Sequence, residues 1–190
     1  VHKNNPDLAT EKAIDLVRMS VSKVALMAPL EEAELTINQS AMVIGGGISG
    51  MTTAKSLATQ GYKTYLIEKT SHLGGNALNL YKTIQGDDIQ ENLSELIKDV
   101  DNNDKIHVHL NTVLKEVDGF VGNFKTTLST NGNEQVVEHG VAVMATGGVA
   151  LEPNEYSYGK DKRIITSLDL DKMFIEKDQS LKDINSAVFI

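Results

Sequence analysis

The feature that most constrains the fold is a glycine-rich turn that follows a short apolar run. Residues 41–44 read Ala-Met-Val-Ile, a pattern typical of a buried parallel strand. Gly45, Gly47 and Gly50 come next, in the spacing G-x-G-x-x-G. In that spacing Gly45 turns the chain off the strand, Gly47 lets backbone approach a pyrophosphate, and Gly50 lets a helix pack closely. The amino terminus of the helix would then face the phosphate charge.

The glycine spacing indicates a nucleotide site only if a helix, a second strand and an acid follow it, and the residues after the turn have this pattern. Residues 51–60 have the apolar spacing of a helix, and Gly61 is a helix stop. A second apolar run occupies residues 65–67, and Glu68 follows it, 23 positions after Gly45. An acid at this place accepts hydrogen bonds from ribose hydroxyls. Together these features favour a dinucleotide-binding βαβ unit over a glycine-rich turn without a ligand.

Composition and charge narrow the possible functions. The chain has 190 residues, of which 41% are hydrophobic and 23% are charged, as in ordinary soluble domains. Its net charge of −8 argues against nucleic acid and anionic membranes as partners. No apolar run approaches the ~20 residues that cross a bilayer, so we expect no membrane insertion. Because no signal-peptide pattern is present, we expect a cytoplasmic protein.

We expect the chain to be a piece of a longer protein, because of how it begins and ends. It begins with Val1 rather than Met. A short helix is expected over residues 167–177, with Ser167 as its cap, and a β-like run at residues 186–190 then stops abruptly. The sequence contains no cysteine, which excludes disulfides and cysteine-ligated iron–sulfur clusters within these residues.

The amino-terminal residues predict a long helix. Asn5 is placed to cap it, Pro6 suits the first helical position, and Pro29 would end it. This helix would either pack on the domain or connect it to an upstream one. An acidic linker follows at Glu31, Glu32 and Glu34. We therefore expect a helix and linker over residues 1–38 and a nucleotide-binding domain over residues 39–190.

The middle of the chain adds a helix and a strand. Residues 88–100 carry apolar side chains on one face and form an amphipathic helix. Residues 106–110 alternate apolar and polar side chains, which is typical of a strand. His107 and His109 share one face of that strand. They could bind a metal ion as a pair, but no third ligand is apparent, and a solvated or partly buried strand face is the favoured interpretation.

Residues 112–138 read as an antiparallel meander. The expected strands are 112–117, 124–128 and 134–138, and the expected turns are 119–123 and 131–133. An antiparallel excursion of this kind commonly interrupts the doubly wound sheet of flavoproteins.

Two further glycine-containing segments favour flavin over a nicotinamide cofactor. Gly74 and Gly75 follow the acid closely, so the backbone there has no Cβ to keep a ligand away. Residues 141–144 predict another buried strand, which ends in the loop Ala-Thr-Gly-Gly at residues 145–148. Such a loop brings free backbone groups to the carboxyl edge of the sheet, where ligands bind in this architecture.

The order of these motifs resembles the flavin domain in the family of heterodisulfide reductase A subunits, from methanogens and related anaerobes. The resemblance covers about residues 7–190. The resemblance is based on the segments 11–19, 43–51, 73–76, 119–124 and 145–148. The resemblance implies FAD, an α/β fold related to thioredoxin reductase, and a complex with other redox subunits and electron carriers. It also implies iron–sulfur clusters on flanking segments and a further half of the flavin site beyond residue 190, so weak FAD binding, or none, is expected of these residues alone.

The resemblance also implies a role for each residue of the cofactor site. The expected cofactor-binding residues are Gly45, Gly47, Ile48, Ser49, Gly50, Glu68, Lys69, Gly74, Gly75, Asn76, Val113, Ala145, Thr146 and Gly147. The three glycines of the turn would face the pyrophosphate, Glu68 the ribose, and Lys69 the ribose or adenine. Gly74 to Asn76 would run toward the flavin, Val113 would offer backbone groups to adenine, and the last three would close the site.

These observations predict an α/β protein: a doubly wound, Rossmann-like FAD/NAD(P)-binding sheet with an antiparallel meander and an amino-terminal helix. The favoured function is FAD binding in an electron-transferring oxidoreductase complex. The alternatives are the nucleotide domain of an NAD-dependent dehydrogenase and a non-catalytic nucleotide-binding or assembly module. No residue stands out as a catalytic acid, base or nucleophile, and no metal site is expected, because in such a protein the flavin carries the chemistry.

Overall fold

The computed structural model describes residues 3–29 and 34–190, which divide into two compact units, Val1–Leu35 and Thr36–Ile190. In the acidic linker, Glu31 and Glu32 lie outside the described residues. Within the described ranges, no helix combines the length and the apolar character needed to cross a bilayer.

The first unit contains the predicted amino-terminal helix, α1, which spans Pro6–Ala25. Pro6 occupies the first helical turn as expected. Asn5 stands at the N-cap position, but its side chain makes no capping hydrogen bond. The prediction that Pro29 ends the helix is wrong. The helix ends at Ala25, and the N–H of Leu26 already closes the last turn on the Lys23 carbonyl at 3.2 Å.

The described part of the second unit contains seven strands and three α-helices. The strands are β1 (Ser40–Ile44), β2 (Lys63–Ile67), β3 (Ile106–His109), β4 (Thr112–Phe120), β5 (Asn123–Thr130), β6 (Asn133–His139) and β7 (Val141–Met144). The helices are α2 (Ile48–Thr59), α3 (Ile89–Asp101) and α4 (Ser167–Ile175), and 3₁₀ turns occupy Gly75–Asn79 and Gln179–Asp183. Four strands form a parallel sheet in the order β3-β2-β1-β7, and β4, β5 and β6 form an antiparallel sheet. The structure therefore confirms the predicted fold class.

Helices α2 and α3 cover one face of the parallel sheet. Met51 and Ala54 from α2, and Leu93 from α3, pack on Val43 and Leu66 of the strands, and all five are nearly inaccessible to solvent. Their spacing in the sequence follows the 3.6-residue helical period, which places them on one side of each helix. Burying a side chain as large as leucine contributes about 1.5–3 kcal/mol, so this layer is a main source of stability.

The antiparallel meander covers the opposite face of the sheet. Met42 and Ile67 point to that face, because successive strand residues alternate sides, and they pack on Leu128 and Val137 of the meander. The meander thus lies between β3 and β7 in the sequence and behind the sheet in space.

The first meander turn is tighter than the sequence predicts. Gly119 pairs with Phe124, and Phe120 pairs with Asn123, so two residues, Val121 and Gly122, form the turn instead of residues 119–123. A positive φ at the second turn position (+96° at residue 122) suits glycine, and it lets the strands continue pairing up to the turn.

The carboxyl-terminal part differs from the sequence prediction in three places. The sequence predicts a buried strand β7, but Val141 is 47% and Met144 is 69% exposed, because β7 is the edge strand of the described sheet and pairs with β1. The cap of α4 is Thr166 rather than Ser167, and it forms a capping box with Asp169. Residues 186–190 form no strand, since they pair with no other strand among the described residues.

Candidate nucleotide-binding site

The glycine turn after β1 is the centre of the candidate site. Gly45 has φ +116°, a conformation that side chains rarely adopt, and its N–H donates to the Ile67 carbonyl at 2.8 Å. A Cβ at residue 45 would overlap the Ala145 carbonyl, and a Cβ at residue 50 would overlap the Gly45 carbonyl. The first and third glycines of the motif are therefore required by packing within the protein.

Gly47 differs from its two neighbours in the motif. Its φ of −77° is open to any residue, and a Cβ built on it meets no described atom within 4 Å. Gly47 is the N-cap of α2, and no described side chain caps that helix. The exposed residues Ile48 and Ser49 begin the helix, so the backbone N–H groups of the first turn have no partner within the helix. This helix end has the polarity and the open space that a phosphate group needs.

Glu68 lies beneath this turn and is 7% exposed. Its Oε2 accepts the N–H of Gly46 at 2.6 Å, and its Oε1 accepts the N–H and the hydroxyl of Thr70 at 2.8 and 2.9 Å. Burial by itself raises the pKa of the Glu68 carboxyl group, but the donors of Thr70 and Gly46 together lower it below its ordinary value. Glu68 is therefore held as a carboxylate at neutral pH.

The sequence did not single out Gly46 or Thr70 as members of this site. The threonine could have been found, because a hydroxyl residue two positions after an acid often makes such a local hydrogen bond. The contact of Gly46 depends on how the turn and β2 meet in space, and no local pattern marks it.

The Gly-Gly loop rests on the glycine turn. The N–H of Gly74 donates to the Gly46 carbonyl at 2.8 Å, and a Cβ on Gly75 would come within 3.1 Å of the Gly47 Cα. Both residues have positive φ, at +121° and +54°. The loop thus packs backbone against backbone, and glycine at both positions is what permits this approach.

A third loop closes the arrangement from the β7 side. The N–H of Ala145 donates to the Ile44 carbonyl at 2.8 Å, and the side-chain amide of Asn76 donates to the Gly148 carbonyl at 2.8 Å. Thr146 and Gly147, which lie between these contacts, are exposed. The structure therefore brings the three predicted glycine-containing segments together at one edge of the sheet.

The two remaining predicted residues lie at the margin of this edge. Lys69 is exposed beside Glu68. Val113 is half exposed at the start of β4, and the N–H of the preceding Thr112 donates to the Glu68 carbonyl at 2.9 Å. The fold thus brings Val113 near the acid, although 45 positions separate them in the sequence.

The histidine pair on β3 forms a strand face with Tyr65. The ring centroids of His107 and His109 lie 5.6 and 6.1 Å from the ring centroid of Tyr65. Burial, and then the charge of His107, lower the pKa of His109. Among the residues that the structure describes, no three metal-binding side chains lie together.

An FAD molecule fits the chemistry of the residues at this edge. The open backbone at Gly47 and the first turn of α2, which has no side-chain cap among the described residues, suit a pyrophosphate, and a Cβ at residue 47 would occupy that space. The buried carboxylate of Glu68 suits a ribose hydroxyl rather than a phosphate.

The fold and this edge define a nucleotide-binding domain of the oxidoreductase class. The model of the family described as Pyridine nucleotide-disulphide oxidoreductase matches residues 39–184, and the chain belongs to that family. The membership confirms the predicted oxidoreductase class and agrees with the predicted FAD.

Curated relatives give a finer likeness. The A subunit of the H(2):CoB-CoM heterodisulfide,ferredoxin reductase of Methanothermobacter thermautotrophicus is 43% identical over 129 residues, which are 67% of this chain and 20% of the relative. The iron-sulfur A subunit of the CoB–CoM heterodisulfide reductase of Methanocaldococcus jannaschii is 31% identical over 166 residues, which are 86% of this chain and 25% of the relative. These findings confirm the predicted resemblance. The chain spans a quarter or less of the length of these two relatives.

A solved structure supports the fold alone. L-proline dehydrogenase from P. horikoshii superposes with a TM-score of 0.51 at 22% sequence identity, covering 63% of this chain and 25% of that one.

Proposed function

We propose that this domain binds FAD along the carboxyl edge of its parallel sheet, as part of an electron-transferring oxidoreductase that resembles the heterodisulfide reductase A subunits. The observation that carries the proposal is the open backbone at Gly47, which lies at an uncapped helix end and above a buried carboxylate. FAD would supply the electron-transfer chemistry when it is bound.

The residues of this chain would bind and orient the cofactor. The N–H groups at Ile48 and Ser49 would donate to the pyrophosphate, with Gly45, Gly47 and Gly50 shaping the turn. Glu68 would accept a ribose hydroxyl, with Lys69 and Val113 beside the adenosine. The remaining members of the site are Gly74, Gly75, Asn76, Ala145, Thr146 and Gly147, which would line the path toward the flavin.

The partners of the domain belong to the same proposal. The relatives carry names of reductase subunits, and one name includes ferredoxin. We therefore propose other redox subunits and electron carriers as partners, in a cytoplasmic complex. The division into residues 1–38 and 39–190 also remains a proposal.

The replacement Gly47→Val tests the pyrophosphate contact. It fills the open space above the helix end, so we expect FAD binding to be lost while the midpoint of urea unfolding changes little. Thr52→Val, on the exposed face of α2, adds no group at that edge and is the matched control. FAD binding is followed by its visible absorbance and by quenching of flavin fluorescence.

Two results would contradict the proposal. Unchanged FAD affinity in Gly47→Val would exclude the pyrophosphate position. Binding of NAD⁺ but not of FAD by the unmodified protein would favour the NAD-dependent dehydrogenase domain instead. The absorbance spectrum distinguishes the two cofactors, because bound flavin is yellow and bound NAD is not.

A further inference from the structure

The side chain of Gln90 reaches from helix α3 to the turn that follows the Gly-Gly loop. Gln90 is the second residue of α3, and its Nε2 lies 2.6 Å from the Leu80 carbonyl oxygen and 2.9 Å from the Ala77 carbonyl oxygen. The Leu78 carbonyl oxygen lies further away, at 3.5 Å. Because carbonyl oxygens only accept hydrogen bonds, the amide nitrogen rather than the amide oxygen of Gln90 must face them.

Two hydrogen bonds account for these distances. The amide group has two hydrogens, and they match the two nearer carbonyls, those of Leu80 and Ala77. Both carbonyls belong to the end of the 3₁₀ turn Gly75–Asn79 and the residue after it. The N–H of Leu80 also donates to the Ala77 carbonyl at 3.2 Å, which closes the turn. Gln90 therefore bonds to both ends of the last hydrogen-bonded turn of this segment.

This turn continues directly from the Gly-Gly loop of the candidate site. Within that loop, the N–H of Gly74 donates to the Gly46 carbonyl and the side chain of Asn76 donates to the Gly148 carbonyl, each at 2.8 Å. The loop is thus bonded to the glycine turn at its start, and Gln90 holds the residues that follow it.

The helix end that carries Gln90 is fixed by its own contacts. The Asp88 carboxylate caps α3, since it accepts the N–H groups of Gln90 and Glu91 at 2.9 and 3.0 Å. Leu93, in the same helix, is 3% exposed and belongs to the same core cluster as Ala77. A capped helix that packs in the core is a firm support, so the amide of Gln90 holds the turn in one place.

We propose that Gln90 is a positioning residue, which holds the Gly-Gly loop where the flavin half of a bound FAD requires it. This inference rests on the proposed function, in which residues 74–76 line the path toward the flavin. The glycine turn, which would hold the pyrophosphate, is fixed separately, because the N–H of Gly45 donates to the Ile67 carbonyl of β2 at 2.8 Å. Loss of the Gln90 bonds should therefore affect the flavin half of FAD more than the ADP half.

Gln90→Met tests the proposal, because methionine has nearly the length of glutamine but donates no hydrogen bond. Gln85→Met, at an exposed position of the loop before α3, is the matched control. The first measurement needs no ligand: amide hydrogen exchange is followed by NMR. Loss of two hydrogen bonds should raise the exchange rates of the Ala77 and Leu80 amides by about five- to a hundredfold. The amide of Gly45 should exchange as in the unmodified protein.

The second measurement compares FAD with ADP by calorimetry. In Gln90→Met, FAD should bind about two- to tenfold more weakly than it binds the unmodified protein, and the affinity for ADP should change by less than about twofold. A merely structural role would not separate the two ligands, because both need the folded domain. Gln85→Met should bind both ligands as the unmodified protein does.

The outcomes separate the role of Gln90 from the nucleotide site itself. Unchanged exchange of the Ala77 and Leu80 amides in Gln90→Met would overturn the anchoring of the turn. Equal losses of FAD and ADP affinity, or no loss of FAD affinity, would overturn the positioning role while leaving the nucleotide site intact. If FAD does not bind the unmodified protein, the proposed function fails and the positioning role fails with it, whereas the exchange rates still test the two hydrogen bonds.

Discussion

The side-chain amide of Asn76 donates a 2.8 Å hydrogen bond to the carbonyl of Gly148, across 72 positions of sequence. This bond ties the loop after β2 to the loop after β7. The first loop also bonds to the glycine turn, through Gly74, and the second bonds to the end of β1, through Ala145. The edge of the sheet is therefore shaped before any ligand arrives, which reduces the ordering that binding would otherwise require.

Removal of this tie should weaken cofactor binding more than it weakens the fold. We expect Asn76→Ala to lower FAD affinity by about 0.5–1.5 kcal/mol, the net contribution of one hydrogen bond. Isothermal titration with FAD measures the effect. Asn79→Ala, at an exposed position of the same 3₁₀ turn, should leave the affinity unchanged. Equal effects of the two replacements would show that the bond to Gly148 is irrelevant to binding.

Gly50→Ala should damage the fold itself. The added methyl group would overlap the Gly45 carbonyl, and overpacking of this kind costs about 1–3 kcal/mol or more. Urea unfolding followed by circular dichroism measures the loss. Gly148→Ala is the matched control, because a Cβ there meets no described atom within 4 Å. A Gly50→Ala protein as stable as the control would mean that α2 does not pack as described.

The cap of α4 allows a direct comparison of neighbouring residues. Thr166 accepts the N–H of Asp169 and bonds to its carboxylate, whereas Ser167 lies inside the first helical turn. Thr166→Ala should therefore destabilise the protein by about 1 kcal/mol, and Ser167→Ala by much less. Thermal unfolding of the two variants measures the difference. The reverse order would restore Ser167 as the cap.

His139 makes the stability of the domain depend on pH. It is 1% exposed, its Nδ1 lies 3.0 Å from the Val141 carbonyl, and its Nε2 lies 2.8 Å from the Thr126 hydroxyl. Because a carbonyl only accepts, the proton sits on Nδ1, and the hydroxyl of Thr126 donates to Nε2. Burial lowers the pKa of His139, and the bond to Val141 opposes that effect without reversing it.

The sign of the effect follows from proton uptake in the unfolded chain. As the pH falls below about 6.5, the ordinary value, unfolded His139 gains a proton before the folded one does, so stability present at higher pH is lost. We expect the free energy of unfolding to fall between pH 6.5 and 5, by no more than about 1.4 kcal/mol per pH unit for one proton. Urea unfolding at several pH values measures this slope.

His139→Gln removes the titrating group and should remove its part of the slope. Measurements stay above pH 5, because Glu68, whose pKa is also lowered, adds a similar loss only below its ordinary value of 4.5. The same slope in the variant and in the unmodified protein would assign the pH dependence to other groups.

The parts of the fold that the sequence predicts are those that local chemistry determines. Gly45 and Gly74 both have positive φ, so glycine itself marks the special backbone at these places. The order of glycine turn, acid, glycine pair and final loop then locates the edge of the sheet. The helices and the meander strands could be predicted as well, because the spacing of apolar residues is also a local property of the sequence.

The parts that the sequence did not predict depend on distant neighbours. The run from Val141 to Met144 has the same apolar pattern whether or not another strand covers it, so its exposure could not be predicted from the sequence. Nothing in the sequence distinguishes buried His139 from the histidines of β3, since burial follows from the packing of the meander. The contact of Gly46 with Glu68 likewise requires two separate segments to meet.

The pairing of β1 with β7 also sets the order in which this domain completes itself during synthesis. Ala41 pairs with Val141, a hundred positions later, and the glycine turn has its close partner at Ala145. At about 5–20 residues per second, a ribosome needs on the order of 5–20 s to make the intervening chain. The carboxyl edge of the parallel sheet therefore acquires its final shape only after the meander has been made, although the glycine motif at that edge is synthesised early. During that interval β1 carries an unpaired edge, which the nascent chain exposes to other strands.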